Sequence, residues 1–429
     1  MVKNRRSIKV NEAIERVMEY SVEGSVREVP IEQSYGRFLG TELIADHNVP
    51  PFDRSPYDGF AVRSEDTEKA TRNNPIQFEV IGEIGAGSVF EGVVGEMQAV
   101  RIMTGAQIPE GCNAVVMLEL ANELTIDGKP FFKLKRDLQP GTNISFAGED
   151  TKQGEILASK GTYINPGMVA LLATFGYKNV PVGSKPEVGI IATGSELLEV
   201  DEPLQPGKIR NSNAYMVRSQ VERAGGVPVY FGQFSDDFES CYQHVKDALE
   251  KVDFLITTGG VSVGDYDYLP AIYEKLGANV LFNKVGMRPG SVTTVAEKNG
   301  KLLFGLSGNP SACYVGFELF ARPVIRTYLN SSHPFMKKET AFLGADFAKP
   351  NPFDRFVRGY LSYEKGKLVA TPVGLDKSNV ISSLGEANVL IVFPAGTRGY
   401  VEGMEVEIIL LEEQEGTTMD SFIKKTEEI

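Results

Sequence analysis

From Pro181 onward the chain alternates between short β-branched runs and stretches of helical length, and no other feature narrows its fold as much. VGIIAT (188–193) precedes a helical pattern over Ala214–Ala224, and VPVYFGQ (227–233) precedes Asp236–Lys251. DFLITT (253–258) then precedes Tyr268–Leu276, and LLFGL (302–306) precedes Pro310–Leu329. Continuous apolar runs bounded by turn residues suit strands buried on both faces. Helices between them imply parallel neighbours joined by right-handed crossovers. The predicted class is α/β with a central parallel sheet, and ligands of such sheets bind beyond the carboxyl ends of the strands.

The flanks have another texture. Near the start, Val10, Ala13, Ile14, Val17 and Met18 share one face of an amphipathic helix. From Pro50 to about Asn143, glycines recur between short runs such as FEVIGEI and AVVMLEL, the pattern of a small all-β module. Helical periodicity returns at Pro166–Phe175, where Asn165 reads as an N-cap and Pro166 as the first helical residue. After about Asn330 the pattern is β again, and the end, EEQEGTTMDSFIKKTEEI, reads as a charged, frayed tail.

Composition bounds the partners. With 44 Lys+Arg against 57 Asp+Glu the net charge is -13, which argues against a nucleic-acid binder needing a basic face. The three His (His47, His244, His333) and three Cys (Cys112, Cys241, Cys313) lack zinc-ligand spacing, so any metal is expected to be a hard, oxygen-bound ion. No hydrolase triad is credible with so few. The charged start lacks a signal peptide's apolar region. The longest apolar stretch, Met168–Tyr177, is about half of the roughly 20 residues that span a bilayer. Scattered cysteines suit a reducing compartment, so a cytoplasmic protein without membrane contact is expected.

Three loops end strands of the predicted sheet. TTGGVSVGDYDYLP (257–270) carries Gly259, Gly260, Ser262 and Gly264, then Asp265 and Asp267 at a helix start. Such a loop can bring backbone N–H groups to an anion while the carboxylates hold Mg²⁺; a plain glycine-rich turn with an Asp cap is equally compatible with the motif. IIATGSELLE (190–199) places Glu196 at a strand end, and LFGLSGNPSAC (303–313) places Gly308 and Asn309 there. Singly each reads as a connector; together at one sheet edge they point to a phosphate-type site. KVGMRPGS (284–291) adds Lys284 and Arg288, charge that an oxyanion pocket needs. In the β-rich segment, PPFDRSPYDGFAVR carries Asp58, RIMTGAQIP carries Thr104 and GTNISFAGED ends on Asp150, and turns are the simpler reading of each.

Taken in order, these segments together with SNVISSLGEANVLIVFPAG resemble the molybdopterin molybdenumtransferases, the group of the MoeA proteins and the gephyrin E-domain, from about Ser7 to Leu411. The resemblance implies a split first domain (1–49 and 145–180), an inserted β-rich domain (50–144) and a central α/β, MogA-like molybdopterin-binding domain (181–329). A terminal β-barrel-like domain (330–412) and a charged tail (413–429) complete it. It implies a homodimer with the active site in a cleft between subunits. The implied reaction converts adenylylated molybdopterin and molybdate to molybdenum cofactor and AMP with Mg²⁺. By match of motif, Asp58, Thr104, Asp150, Glu196, Asp236 and Asp267 are the implied catalytic residues, with Glu196, Asp236 and Asp267 as metal ligands. Lys284, Arg288, Arg358 and Ser378 fall at anion-pocket positions. The chain departs from the family at Arg288-Pro289-Gly290-Ser291-Val292, where KPGKP is usual, and at Leu306–Ala312, where LPGNPVS is usual. Two alternatives therefore stay open: a tungstate-preferring paralogue, or a non-catalytic binding or scaffold protein.

Overall fold

In the computed structural model, which describes residues 6–234, 237–260, 268–411 and 418–424, the β-branched runs become a six-stranded sheet. Its strands are β1 (Glu187–Thr193), β2 (Val227–Phe234), β3 (Phe254–Thr258), β4 (Asn279–Phe282), β5 (Thr294–Lys298) and β6 (Lys301–Leu306). The order is β2-β1-β3-β6-β5-β4, parallel from β2 to β6. Every residue of β3 is buried, because helices cover both faces. On one side α1 (Ser212–Ala224) and the long helix α4 (310–328) pack Val217, Val221 and Val324 against Val188, Ile190 and Ile256. On the other, α2 (Phe238–Lys251) and α3 (Leu269–Lys275) pack Val245, Leu249 and Ile272 against Ile191 and Leu255.

Two antiparallel strands that the alternation does not reveal extend this parallel core. β5 and β6 pair through a two-residue turn, Asn299-Gly300, whose φ angles of 53° and 79° are those of a hairpin turn matched to strand twist. Helix α4 contains a widened π turn over Phe317–Ala321. Pro323 follows, and having no N–H it cannot donate to the carbonyl of Leu319, which the wider turn accommodates.

Downstream, β7 (Lys338–Leu343), β8 (Asp354–Glu364), β9 (Lys367–Pro372), β10 (Val389–Phe393) and β11 (Glu405–Leu410) pair in the order β8-β9-β7-β11-β10. Pairing of β10 back to β8 closes a five-stranded barrel around Val357, Ala370, Ile391, Phe393 and Ile408. The expected frayed tail is corrected in part. Residues Met419–Lys424 form a helix whose Phe422 and Ile423 are buried, with Phe422 stacked on Phe335 at 4.9 Å. Two adjacent apolar residues suffice to anchor a short charged segment where a barrel wall offers an apolar partner.

Contacts divide the chain into two compact units, 42–158 and 1–41 with 159–429. In the larger unit, helix Val10–Met18 buries Val10, Ala13, Ile14 and Val17 as its periodicity predicts. At the predicted cap, Asn165 Oδ1 accepts from Met168 N at 2.9 Å. The smaller unit is a six-stranded sheet, antiparallel except for Ile76–Ile84 beside Gln98–Ile102. Phe60, Phe78 and Phe132 stack on one face of it, with centroids 4.3 and 5.2 Å apart. No helix among the described residues is long and apolar enough to cross a membrane.

Candidate functional site

Strands β1, β3 and β6 end side by side, so the residues that follow them, Gly194, Gly259 and Ser307, meet at one sheet edge. The β2-β1-β3 order places α1 and α2 on opposite faces, and the gap opened at such a reversal is where ligands of α/β sheets sit. A cleft of about 990 Å³ lies there, floored by Thr193, Gly194, Gly259, Gly260, Ser307 and Gly308. That volume is within the range of small-molecule sites, about 300–1,000 Å³.

The floor is a mutual lock. Gly259 N donates to Leu306 O at 3.0 Å, and Thr193 Oγ1 donates to Thr258 O at 3.3 Å, tying the ends of β1, β3 and β6 together. Gly259 has φ +89°, and a Cβ there would lie 2.5 Å from the carbonyl oxygen of Thr193. Only glycine permits that approach. Asn213, buried on α1, donates from Nδ2 to Gly308 O at 2.8 Å and holds the third loop.

Glu196 is exposed at the rim, and its loop is held by several bonds. Ile209 N donates to Glu196 O at 2.9 Å, Leu197 and Leu198 pair with Ile209 and Arg210, and the Lys208 ammonium donates to Ser195 O. Beneath it, the Tyr215 and Tyr230 hydroxyls donate to Glu199 at 3.2 and 3.0 Å. Burial and this carboxylate push the Tyr230 hydroxyl's pKa up.

The opposite wall comes from the barrel and the 284–291 loop. Met287 and Arg288 pair in parallel with Asp354 and Arg355, which sets Arg288 and Arg355 in register. Arg288 stacks on the Phe353 ring at 5.6 Å. Asp376, Lys377, Ser378 and Asn379 complete this wall, and Ser378 O accepts from Ser311 N at 3.0 Å. The described lining residues include three cationic side chains (Arg288, Arg355, Lys377) and two carboxylates (Glu196, Asp376), one positive charge in excess in a chain of net charge -13.

Of the predicted site residues, Glu196, Gly259, Gly260, Arg288, Gly308, Asn309 and Ser378 line this cleft. Lys284 does not, although its backbone accepts from Ile8 N at 3.2 Å. Arg358 stands behind the wall. Its buried guanidinium donates to Leu375 O, Lys377 O and Ser383 Oγ at 3.0, 3.3 and 3.3 Å, so it shapes the Ser378 loop. Asp236, Ser262, Gly264 and Asp267 lie outside the described residues. Among the described residues no group of three His, Cys, Asp or Glu could hold a metal ion.

Asp58, Thr104 and Asp150 belong to the smaller unit. Asp58 Oδ1 accepts from Thr104 N at 2.7 Å and from Thr104 Oγ1 at 2.8 Å. The backbone donor first, then the hydroxyl, hold the Asp58 carboxyl below the usual range. The Asp58–Thr104 contact is thus fully formed above the ordinary carboxylate pKa and is lost as pH falls through the depressed one. Thr104→Val should move the Asp58 titration part of the way back toward an ordinary aspartate in a carboxyl-carbon NMR titration; an unmoved titration refutes the hydroxyl's role. Asp150 is exposed, its N–H donating to Val49 O at 3.0 Å.

Arg355 and Asp376 carry no local motif. They lie 21 positions apart and meet beyond the end of the β8–β9 hairpin, whose register (Gly359 opposite Pro372) carries position 355 opposite 376, with Arg355 Nη1 2.6 Å from Asp376 Oδ2. Thr193 and Ser307, by contrast, sit inside the quoted loops.

Sequence comparison agrees along the whole chain. The MoeA N-terminal region (domain I and II) matches residues 8–176, a probable molybdopterin binding domain matches 189–327, and the MoeA C-terminal region (domain IV) matches 340–411. The molybdopterin molybdenumtransferase of Bacillus subtilis (strain 168) is 59% identical over 417 residues, 97% of each chain. That of Staphylococcus aureus (strain Mu50 / ATCC 700699) is 48% identical over 413 residues, 96% of this chain and 97% of that one. A crystal structure of a molybdopterin biosynthesis moeA protein from Pyrococcus horikoshii OT3 superposes with TM-score 0.79 at 32% identity, covering 94% of this chain and 100% of that one. With identity this high across all its domains, the chain belongs to the molybdopterin molybdenumtransferase (MoeA) family and is a transferase.

Proposed function

We propose that the chain inserts molybdenum into adenylylated molybdopterin, converting it with molybdate to molybdenum cofactor and AMP, as a cytoplasmic homodimer. One observation carries this reading: a cleft that joins three glycine-rich strand ends to a cationic barrel wall. Strand-end backbone N–H groups suit the pyrophosphate of the adenylylated substrate. Arg288, Arg355 and Lys377 suit the incoming oxyanion. The chemistry asks for charge neutralisation and positioning more than for a strong base.

The donor set fits Mg²⁺. The described lining residues include the Glu196 carboxylate and hydroxyl and amide oxygens, but no sulfur or imidazole. Glu196, with Asp236 and Asp267, would hold the ion, which supplies charge neutralisation at the pyrophosphate. This chain's own residues do the rest: the strand ends orient the phosphates, Glu196 is fixed by its strapped loop, and Arg288 stands across the cleft for the oxyanion.

Ser291 and Val292 line the cleft where the family usually carries Lys-Pro, and this favours tungstate as the second reading. The test is cofactor assembly from adenylylated molybdopterin and Mg²⁺ with molybdate or tungstate. Product with molybdate is expected, and Asp267→Asn should abolish it while substrate still binds. Equal inactivity of the wild-type chain with both oxyanions would sink the reaction.

A further inference from the structure

The barrel wall contains a charge arrangement that the reaction alone does not explain. Asp376 is a carboxylate in the lining of a cleft otherwise suited to anions, and it is only 10% exposed. Unpaired, it would repel a dianion at short range. Three cations surround it: Arg355 Nη1 at 2.6 Å, Lys349 Nζ at 3.1 Å and Arg358 Nη1 at 3.7 Å. Arg355 is itself clamped, its Nε donating to Asn351 Oδ1 at 2.7 Å and its guanidinium lying 5.6 Å from the Phe347 ring centroid. Asn351 is in turn tied through Nδ2 to Thr397 Oγ1 at 2.8 Å. Three positive charges less one negative leave a net charge of +2 on this cluster, equal and opposite to that of a tetrahedral dianion.

We propose that Asp376, held by Arg355 and Lys349, is the residue that sets the charge of the oxyanion wall and so its affinity for dianions. Asp376 is a positioning and specificity-determining residue rather than a catalytic one, and its role rests on the reading that the cleft receives molybdate. Without Asp376, the cluster would carry +3 and attract a dianion more strongly. Without Arg355, Asp376 would face the cleft underpaired.

The two opposite signs make the test. Equilibrium binding of molybdate, and of sulfate as a second dianion, is measured on the full chain and three variants. Asp376→Asn should bind both anions more tightly, by at least about tenfold, because a repelling charge at the wall is removed. Arg355→Met should bind molybdate at least about tenfold more weakly. The double variant Arg355→Met/Asp376→Asn should recover most of that loss. A purely structural role for Asp376 predicts weaker binding in every variant. If Asp376→Asn binds molybdate unchanged or more weakly, the proposal fails. Should that variant unfold, the double variant decides: binding no better than Arg355→Met overturns it. Cofactor assembly, read separately, distinguishes the two claims. A chain that shows this charge response yet makes no cofactor loses the reaction and keeps the role of Asp376.

Discussion

Gly259→Ala should lower kcat/KM for cofactor formation by about 100-fold, the cost typical of misplacing reacting groups by an ångström. Two effects add. At φ +89° an alanine is strained wherever space exists, costing about 1–3 kcal/mol. Here space does not exist, since the new Cβ would lie 2.5 Å from the Thr193 carbonyl oxygen and 3.0 Å from its hydroxyl. Thr193 cannot yield cheaply, because its backbone is the end of β1 and its neighbours are paired on both sides, Ala192 with Gln233 and with Thr258. The Gly259 loop must therefore move, and with it the N–H that now donates to Leu306 O. Gly308→Ala is the matched control. Among the described residues its Cβ would meet only the Cα of Gly259, at an ordinary 3.6 Å, so stability should change by no more than about 0.5 kcal/mol. Steady-state kinetics with denaturant midpoints separate the two. A Gly259→Ala enzyme as active as wild type would show that the locked floor is not needed.

The contrast between these glycines shows where a sequence is readable. Both stand in conspicuous strand-end motifs, and the alternation of runs and helices suffices to bring them to one sheet edge. What the motifs do not reveal is which glycine is sterically compelled, because that depends on Thr193, on another strand 66 positions away. The antiparallel β5–β6 hairpin has a local signal in Asn299-Gly300, which the alternation of runs and helices passes over. The Arg355–Asp376 pair carries no such signal, since its two members are ordinary charged residues until the register of the β8–β9 hairpin sets them opposite each other. Arg358 illustrates the converse. It matches an anion-pocket position by motif, and its Nη2 donates to the carbonyls that hold the Ser378 loop, while its Nη1, 3.7 Å from Asp376 Oδ1, makes no hydrogen bond among the described residues. Local chemistry survives translation from sequence to site; partners set by strand register and packing do not.

Arg288→Met should lower kcat/KM by about 10²–10³, the range seen when one preorganised donor to a developing negative charge is removed. Among the cations in the lining, Arg355 is committed to Asp376 and Asn351, whereas Arg288 makes no ion pair among the described residues. Among the described residues no carboxylate pairs with it, so its charge is available to an anion. Its position is not loose, because the backbone is in register with Arg355 and the guanidinium lies 5.6 Å from the Phe353 ring centroid. A planar cation on an aromatic face keeps its fork preorganised at little further entropic cost. Arg288→Lys retains the charge but gives up the fork and its planar stacking, so it should fall between wild type and Arg288→Met. Phe353→Ala should reproduce the lysine phenotype without changing any charge. The order wild type, then Arg288→Lys and Phe353→Ala together, then Arg288→Met, measured as kcat/KM over a range of salt, would assign the effect to an aimed positive charge. If Phe353→Ala is neutral while Arg288→Lys is impaired, the guanidinium's own hydrogen-bonding geometry matters and its stacking does not.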